Sequence, residues 1–333
     1  MDGDHPQVCV GGAPRRGWAC HAGCMFTDLR RLTSYDTATR ARLTDGALLP
    51  LAPEIAVDAV AYRKLPPWRR AEVRARAFGL AADRAVLCSL SAARVLGIEV
   101  LSWDDTVELG YVDSDRTPPK SQRAPRTRYY GSRVPRSEVL VVGGLRVTGV
   151  ERTLVDIARR HGVVEGIVAI DSALRRFPGL SVQRLLAAGE RLRVHGIAKY
   201  RRAVQLCDEK SESPKESQAR ALLHLAELPG VKKVRAQARI TAGGRQIRVD
   251  LLLEEWLVIE VDGQVKYDGV TYGKPTDQVL REERQREKAL QNLGYTVLRI
   301  GHAEMIPTAD GSVPMVELVA RALARRAHRT VTP

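Results

Sequence analysis

Two carboxylates sit where apolar residues dominate. Asp250 lies between Val249 and Leu251-Leu252-Leu253, and Glu260 follows Leu257-Val258-Ile259 and precedes Val261-Asp262. An ionised carboxylate inside a near-continuous apolar strand is costly unless a partner compensates it. A divalent cation is one such partner, because hard oxygen donors suit Mg²⁺ (or Mn²⁺). Strand alternation puts Glu260 and Asp262 on one face. Glu254-Glu255 reads as a tight turn, which brings Asp250 alongside Glu260 from the neighbouring strand. Glu216, near the start of the preceding helix, adds a fourth acid, and Lys266 follows shortly after the strand. The set suits phosphodiester hydrolysis. Asp250 and Glu260 would hold the cation, with Glu216 and Asp262 as further ligands, and the cation would polarise the phosphate and activate a water. Lys266 would position that water or stabilise charge on the phosphoryl oxygens, and Glu216 would orient the water. The same residues have a structural reading, in which Asp250 and Glu260 mark strand ends and pair with Arg248, Arg286 or Lys288.

The elements that must position these residues follow a clear order. The pattern predicts a helix over Lys215–Leu225, a strand over Val234–Thr241, a turn at Gly243-Gly244 and a strand over Gln246–Leu253. After the Glu254-Glu255 turn come a strand at Trp256–Asp262 and a Gly- and Lys-rich loop from Gly263 to Thr276. A helix over Asp277–Leu293 stops at Gly294, a C-cap residue. Strand Tyr295–Ile300 and helix Val316–Arg326 close the chain. The order is α-β-β-β-α-β-α around a hairpin-connected meander. Glu283, Arg286 and Glu287 lie one turn apart and share a helix face, which fits a surface ladder of ion pairs.

Length and charge set the wider frame. With 333 residues the chain suits two domains. It carries 53 Lys and Arg against 39 Asp and Glu, a net charge of +14, which points to a polyanionic partner with nucleic acid first. Residues 211–333 hold 19 basic and 16 acidic side chains, so the excess of +11 lies in residues 1–210. No stretch nears the roughly 18 apolar residues of a membrane helix, and Arg15 and Arg16 are followed by no apolar block. Five scattered cysteines, Cys9, Cys20, Cys24, Cys88 and Cys207, read as reduced and cytoplasmic. Cys9, Cys20, His21 and Cys24 match no strong zinc spacing. Met25, just before the first organised segment, is an alternative start.

The N-terminal half reads as helix-rich. One or two short helices fall between Asp28 and Leu49, followed by a turn into a strand, the outline of a small winged-helix module. A very basic helix covers Trp68–Phe78, and a small-residue helix covers Ser89–Leu96 with Ser89 or Ser91 as its cap. Strands are expected at Thr106–Val112, Thr127–Tyr130, Val139–Val142 and Leu145–Val147, the last two joined by Gly143-Gly144. Helices follow at Glu151–Arg160, Val164–Arg175, Val182–Glu190 and Ile197–Gln205. Between Thr117 and Arg136 lie Lys120, Arg123, Arg126, Arg128, Arg133 and Arg136, with Tyr129 and Tyr130 interleaved. Basic residues beside aromatics suit phosphate contact plus stacking on bases. They equally suit a sheet edge protected by charge.

Several blocks in the C-terminal half resemble a known family: Ser213-Pro214-Lys215-Glu216-Ser217, Arg248-Val249-Asp250, Ile259 to Tyr267 and Glu283 to Leu290. They are similar to the very-short-patch-repair-like endonuclease domains of the PD-(D/E)XK nuclease superfamily, over roughly Ser213 to Ile300. The resemblance implies a restriction-endonuclease-like fold, and that Glu216, Asp250 and Glu260 match the metal-binding acids while Lys266 matches a Lys or His position. Where the broader superfamily has Lys two residues after the glutamate, this chain has Asp262. More loosely, Ser89 to Gly97 and Val147 to Asp156 resemble antitoxin-like regulators of type IV abortive-infection systems, which place a winged-helix DNA reader before an α/β domain.

The expectation is a mixed α/β protein with a tail at 1–25, a basic DNA-binding region at 26–207, a linker at 208–214 and a nuclease-like domain at 215–333. It acts as a Mg²⁺-dependent (or Mn²⁺-dependent) DNA endonuclease or nickase. The alternative is a non-catalytic DNA-binding regulator of antitoxin type. DNA is the expected partner, with a homodimer or, under the regulator reading, a toxin as protein partner, and no membrane.

Overall fold

A computed structural model describes residues 18–19, 25–112, 117–242, 244–262, 270–271 and 274–331. The chain is mixed α/β and separates into two compact units, residues 1–160 and 161–333. The boundary falls earlier than the polar segment at 208–214. That segment is held within the second unit: the Asp208 amide donates to Asp171 at 2.8 Å, and Ser211 is buried.

The first unit opens with a four-stranded antiparallel sheet of β1 (Trp18–Ala19), β2 (Met25–Asp28), β3 (Leu48–Ala52) and β4 (Ile55–Asp58), in the order β1-β2-β4-β3. Helix α1 (Thr37–Thr44) enters between β2 and β3, with one 3-10 turn before it. Helices α2 (Ala59–Lys64) and α3 (Pro67–Ala81) follow. Asp58 caps α2 by accepting from the Ala61 amide, and a proline starts α3.

A second, five-stranded sheet has β5 (Ala85–Leu87) at its centre. It leads directly into α4 (Ser89–Leu96), and then come β6 (Val107–Val112), β7 (Thr127–Val134), β8 (Val139–Val142) and β9 (Leu145–Thr148). The order is β7-β6-β5-β9-β8. The two-residue turn between β8 and β9 is Gly143-Gly144, both at positive φ, as the primed hairpin turns require. Helix α5 (Val150–His161) ends this part. The cap of α4 is neither Ser89 nor Ser91. Glu108, 18 residues away on β6, accepts from the Leu90 amide at 2.9 Å, while the Ser91 hydroxyl accepts from the Glu108 amide at 2.8 Å.

The second unit begins with α6 (Val163–Arg176), α7 (Val182–Arg191) and α8 (Ile197–Gln205). Helix α9 (Pro214–Ala226) packs on α6 and precedes β10 (Val234–Ala242), β11 (Arg245–Leu253) and β12 (Leu257–Val261). A short pair, β13 (Val270–Thr271) and β14 (Lys274–Pro275), leads to α10 (Thr276–Asn292), β15 (Thr296–Ile300) and α11 (Pro314–Val331). The sheet order is β10-β11-β12-β15, antiparallel except for the parallel β12–β15 pair. A parallel neighbour needs a crossover connection, and α10 supplies it. Gly294 at φ +84 closes α10, as its position after the last apolar residue implies. The observed order is the α-β-β-β-α-β-α read from the sequence, with the small β13–β14 pair added.

Two cores flank this sheet. One gathers Leu223 of α9, Leu251, Leu253, Leu257 and Ile259 with Met315 and Val319 of α11. The other gathers Ala238, Ile240, Val249, Leu252 and Val258 with Leu290 of α10. Ala236 packs in the first core and Ala238 in the second, although residues two apart on a regular strand share a face. The residue between them, Gln237, has φ +51, so the pleat is broken there.

Candidate functional site

The break in β10 lies beside Asp250. Ala236 pairs with Leu251 and Ala238 with Val249, so Gln237 and Asp250 face each other across the β10–β11 ladder. On its other side β11 pairs with β12 through Leu251↔Ile259, Leu252↔Val258 and Leu253↔Leu257. Continuing that register by one step sets Asp250 opposite Glu260. Asp250 Oδ2 instead accepts the Val261 amide at 2.9 Å, a side chain taking the place of a ladder carbonyl. The turn joining the two strands is Glu254-Glu255, with φ +47 and +61, a primed conformation reached without glycine.

Glu216 is brought to the same region by the start of α9. Ser213 caps that helix, its hydroxyl accepting from the Glu216 amide at 3.2 Å and donating to Glu216 Oε1 at 2.8 Å. Glu216 Oε2 accepts from the Glu212 amide at 2.9 Å and from Gln237 Nε2 at 2.6 Å. The pattern is a variant of the capping box, in which serine and glutamate three apart satisfy each other. Gln237 also faces Asp250 across the ladder and helps hold its carboxyl down. The side chain therefore lies between the helix acid, which it bonds, and the strand acid, and its carbonyl oxygen is buried with no donor among the described residues.

Glu260 has a partner on a different helix. Its Oε1 accepts from Arg286 of α10 at 2.6 Å. Glu260 and Asp262 both line a small cleft of about 50 Å³, together with Glu283, Arg286, Glu287 and Arg299. Arg299 of β15 pairs with Glu287 at 3.4 Å and Glu283 at 3.7 Å, and Arg286 pairs with Glu260, so the charged face of α10 bonds across to β12 and β15 in place of the expected ladder along the helix. Of the three partners weighed for the strand acids, Arg286 takes Glu260. Arg248 makes a two-pronged pair with Glu212 at 2.7 and 2.9 Å.

Burial dominates the electrostatics. It pushes the Asp250 carboxyl up, opposed by the Val261 amide and reinforced by the nearby Glu216. Burial likewise pushes Glu260 up to about 7, with Arg286 pulling it down and Asp250 pushing it up. The carboxylates thus feel one another in the order Glu216, Asp250, Glu260, and Glu260 is poised between charged and neutral near neutral pH.

The donor set is all oxygen, which is the right kind for Mg²⁺. Among the described residues, however, no three His, Cys, Asp or Glu side chains gather on one point. Glu216 is held by its cap, and Glu260 by Arg286. Closing the acids on a cation requires Glu260 to leave Arg286, an exposed side chain whose release costs little. Lys266 lies outside the described residues, as do Cys9, Cys20, His21 and Cys24. Sequence reasoning missed Gln237. A lone polar residue between two alanines on a strand gives no signal until its backbone angle and its two acidic neighbours are seen.

The basic segment of the first unit divides differently. Lys120 and Arg128 are exposed. Arg126, at φ +57, pairs with Asp105 at 3.1 Å. Arg123 donates to the Pro118 carbonyl and covers the Tyr129 ring. Tyr130 is engaged on two sides: its hydroxyl donates to Glu108, and Arg160 stacks 3.5 Å from its ring centroid. Burial and Glu108 push its phenol well above the ordinary value. The interleaved tyrosines are thus packed against this unit's own arginines. Among the described residues, burial pushes the Cys88 thiol up to about 12 and the Cys207 thiol up to about 11, which disfavours the thiolate form.

No helix among the described residues is long and apolar enough to cross a membrane. No family model matches the sequence, and no curated protein matches it. Among solved structures, the crystal structure of the RV2827C protein from Mycobacterium tuberculosis is similar at 18% identity and a TM-score of 0.30, covering 56% of this chain and 69% of that one.

Proposed function

We propose that the second unit is a Mg²⁺- or Mn²⁺-dependent DNA endonuclease or nickase of the PD-(D/E)XK type, in a cytoplasmic protein whose basic first unit positions DNA. The observation that carries this reading is the pair of half-buried carboxylates opposite each other on adjacent strands, Asp250 and Glu260, with the buried Glu216 beside Asp250. Burying such a cluster without a matching cluster of cations is unfavourable, and a divalent cation relieves it. Asp250 and Glu260 would hold the ion, which when bound supplies a Lewis acid toward a phosphodiester. Gln237, opposite Asp250 on β10, holds Glu216 from the strand side, and the Ser213 cap fixes Glu216 on its helix. Asp262 faces the cleft beside Glu260, where it can extend the acidic rim.

One observation favours the second reading, a non-catalytic DNA-binding regulator that keeps this fold. Arg286 occupies Glu260 at 2.6 Å, and the position two residues on is Asp262 where the superfamily places lysine. A nicking assay separates the two. Supercoiled and linear DNA are incubated with the full chain, with and without Mg²⁺ or Mn²⁺, beside Asp250→Ala and Glu260→Ala. Metal-dependent cleavage lost in both variants is expected. Retained DNA binding with no cleavage of any form would establish the regulator instead.

A further inference from the structure

We propose that Trp68 and Trp103 form a stacking site for unpaired bases of a single-stranded nucleic acid on the first unit. The inference does not rest on the carboxylate reading of the second unit. Trp256 packs against the core of its unit, whereas Trp68 is 49% exposed and Trp103 47% exposed. Their ring centroids lie 6.1 Å apart at an interplanar angle of 50°. An indole buries a large apolar area when it enters a core, so two that touch each other and leave half their surface in water forgo much of that gain. Their exposed faces are available to a planar partner.

The surroundings identify that partner by charge. Trp68 stands at the start of α3, and Trp103 in the loop after α4. Arg74 of α3 donates to the Pro125 carbonyl at 2.9 Å, Arg126 pairs with Asp105, and Trp68 touches Trp103, so the segments 63–76, 99–106 and 117–128 are in contact with one another on this unit. Those segments carry ten Lys and Arg against four Asp and Glu. Glu72 pairs with Arg69 and Arg76, and Asp105 with Arg126. Arg74 donates to a backbone carbonyl and lies over the Phe78 ring rather than on a carboxylate, and Lys120 and Arg128 are exposed. Aromatic faces inside a field of arginines suit a polyanion whose bases are open. A duplex hides its base faces in the stack and offers only phosphates here. The partner is therefore single-stranded, and the site lies apart from the packed tyrosines of β7.

The test uses the full chain in EDTA, so that cleavage plays no part. Binding of a fluorescent oligo(dT) of about 12 nucleotides is compared with that of a duplex of equal length at low salt, and tryptophan emission is followed in the same titrations. The wild type is expected to bind oligo(dT) with quenching. Trp68→Ala and Trp103→Ala are each expected to weaken oligo(dT) binding by about 5- to 150-fold, the range of one lost base stack. Duplex binding should change less than about twofold, and Trp68→Phe should recover part of the loss. Arg126→Ala should weaken both ligands and lower the salt slope. Each tryptophan keeps about half its surface in water, so both variants should stay folded, which far-UV circular dichroism checks. No oligo(dT) binding by the wild type, or equal loss of both ligands in the tryptophan variants, overturns the proposal. So does unchanged oligo(dT) affinity in both variants.

Discussion

Arg286 holds Glu260 with the same nitrogen that reaches the Arg248 carbonyl, at 2.6 and 2.7 Å respectively. One guanidinium from α10 therefore seals the end of the β11–β12 pair and neutralises the strand acid that a cation would need. The contact is an internal competitor for a metal. It is also weak, because Arg286 keeps 42% of its side chain in solvent.

Arg286→Ala should therefore leave stability within about 1 kcal/mol of wild type while increasing the thermal stabilisation given by millimolar Mg²⁺ at pH 8. Differential scanning calorimetry with and without Mg²⁺ reads both quantities. Equal metal-induced shifts in the two proteins would mean that Arg286 does not compete.

Glu260 titrates near 7 in the fold against 4.5 for a free glutamate. Its folded value is raised, so the protonated form is the one the fold favours. The corresponding stability is fully present below about 4.5 and is lost as pH rises to about 7. That elevation corresponds to about 3 kcal/mol, and burial pushes the Asp250 carboxyl in the same sense. Glu260→Gln should gain stability relative to wild type at pH 8 and gain little at pH 4. Urea unfolding at the two pH values measures this, and a difference independent of pH would refute it. Metal binding should release a proton at pH 6 and less at pH 8, which titration calorimetry in two buffers detects.

Gln237 adopts φ +51 in the middle of a strand and spends its amide on Glu216, beside Asp250. The backbone strain costs about 1–2 kcal/mol for a residue with a Cβ. Gln237→Ala keeps the strain and loses the bond to Glu216, so it should destabilise by about 1–3 kcal/mol. Gln237→Gly loses that bond but relieves the strain, and should be the milder of the two by about 1 kcal/mol. If alanine and glycine behave alike in chemical denaturation, the strained backbone is not what holds Gln237 in place.

Much of the second unit was legible because its signals are local. The apolar runs at Val249–Leu253 and Leu257–Val261, the Glu254-Glu255 turn and Gly294 fix strand order and bring Asp250 beside Glu260. What escaped the sequence depends on distant partners. Glu108 caps α4 across 18 residues, a task that the nearer Ser89 and Ser91 advertise but do not perform. Strand β5, at the centre of its sheet, spans only Ala85–Leu87, too short to show a period. Gln237 is set by a backbone angle and two acids that no window around residue 237 contains.

The helix carrying Glu216 is anchored by a buried ion pair. Arg220 of α9 donates to Asp171 of α6 at 2.6 Å, with 3% and 0% of their side chains exposed. Arg220 also reaches Ser211 and the Leu206 carbonyl, while Asp171 accepts the Asp208 amide at 2.8 Å. The pair thus ties α6, α9 and the 206–211 segment into one network. Burial pushes the Asp171 carboxyl up while Arg220 pulls it down, and the burial effect is the larger, so the pair is bound by its hydrogen bonds as much as by net charge. Asp171→Ala leaves an arginine without its carboxylate in a dry site and should cost about 3–5 kcal/mol. Replacing both, as Asp171→Leu with Arg220→Met, removes the orphaned charge and should recover most of that loss. The double variant also loses the acceptor for the Asp208 amide, so its recovery should be incomplete, and amide exchange at 208–211 should be faster than in wild type. Equal destabilisation of the single and double variants in denaturant unfolding would show that packing volume at these positions, and not the charge pair, fixes α9 beneath the acids.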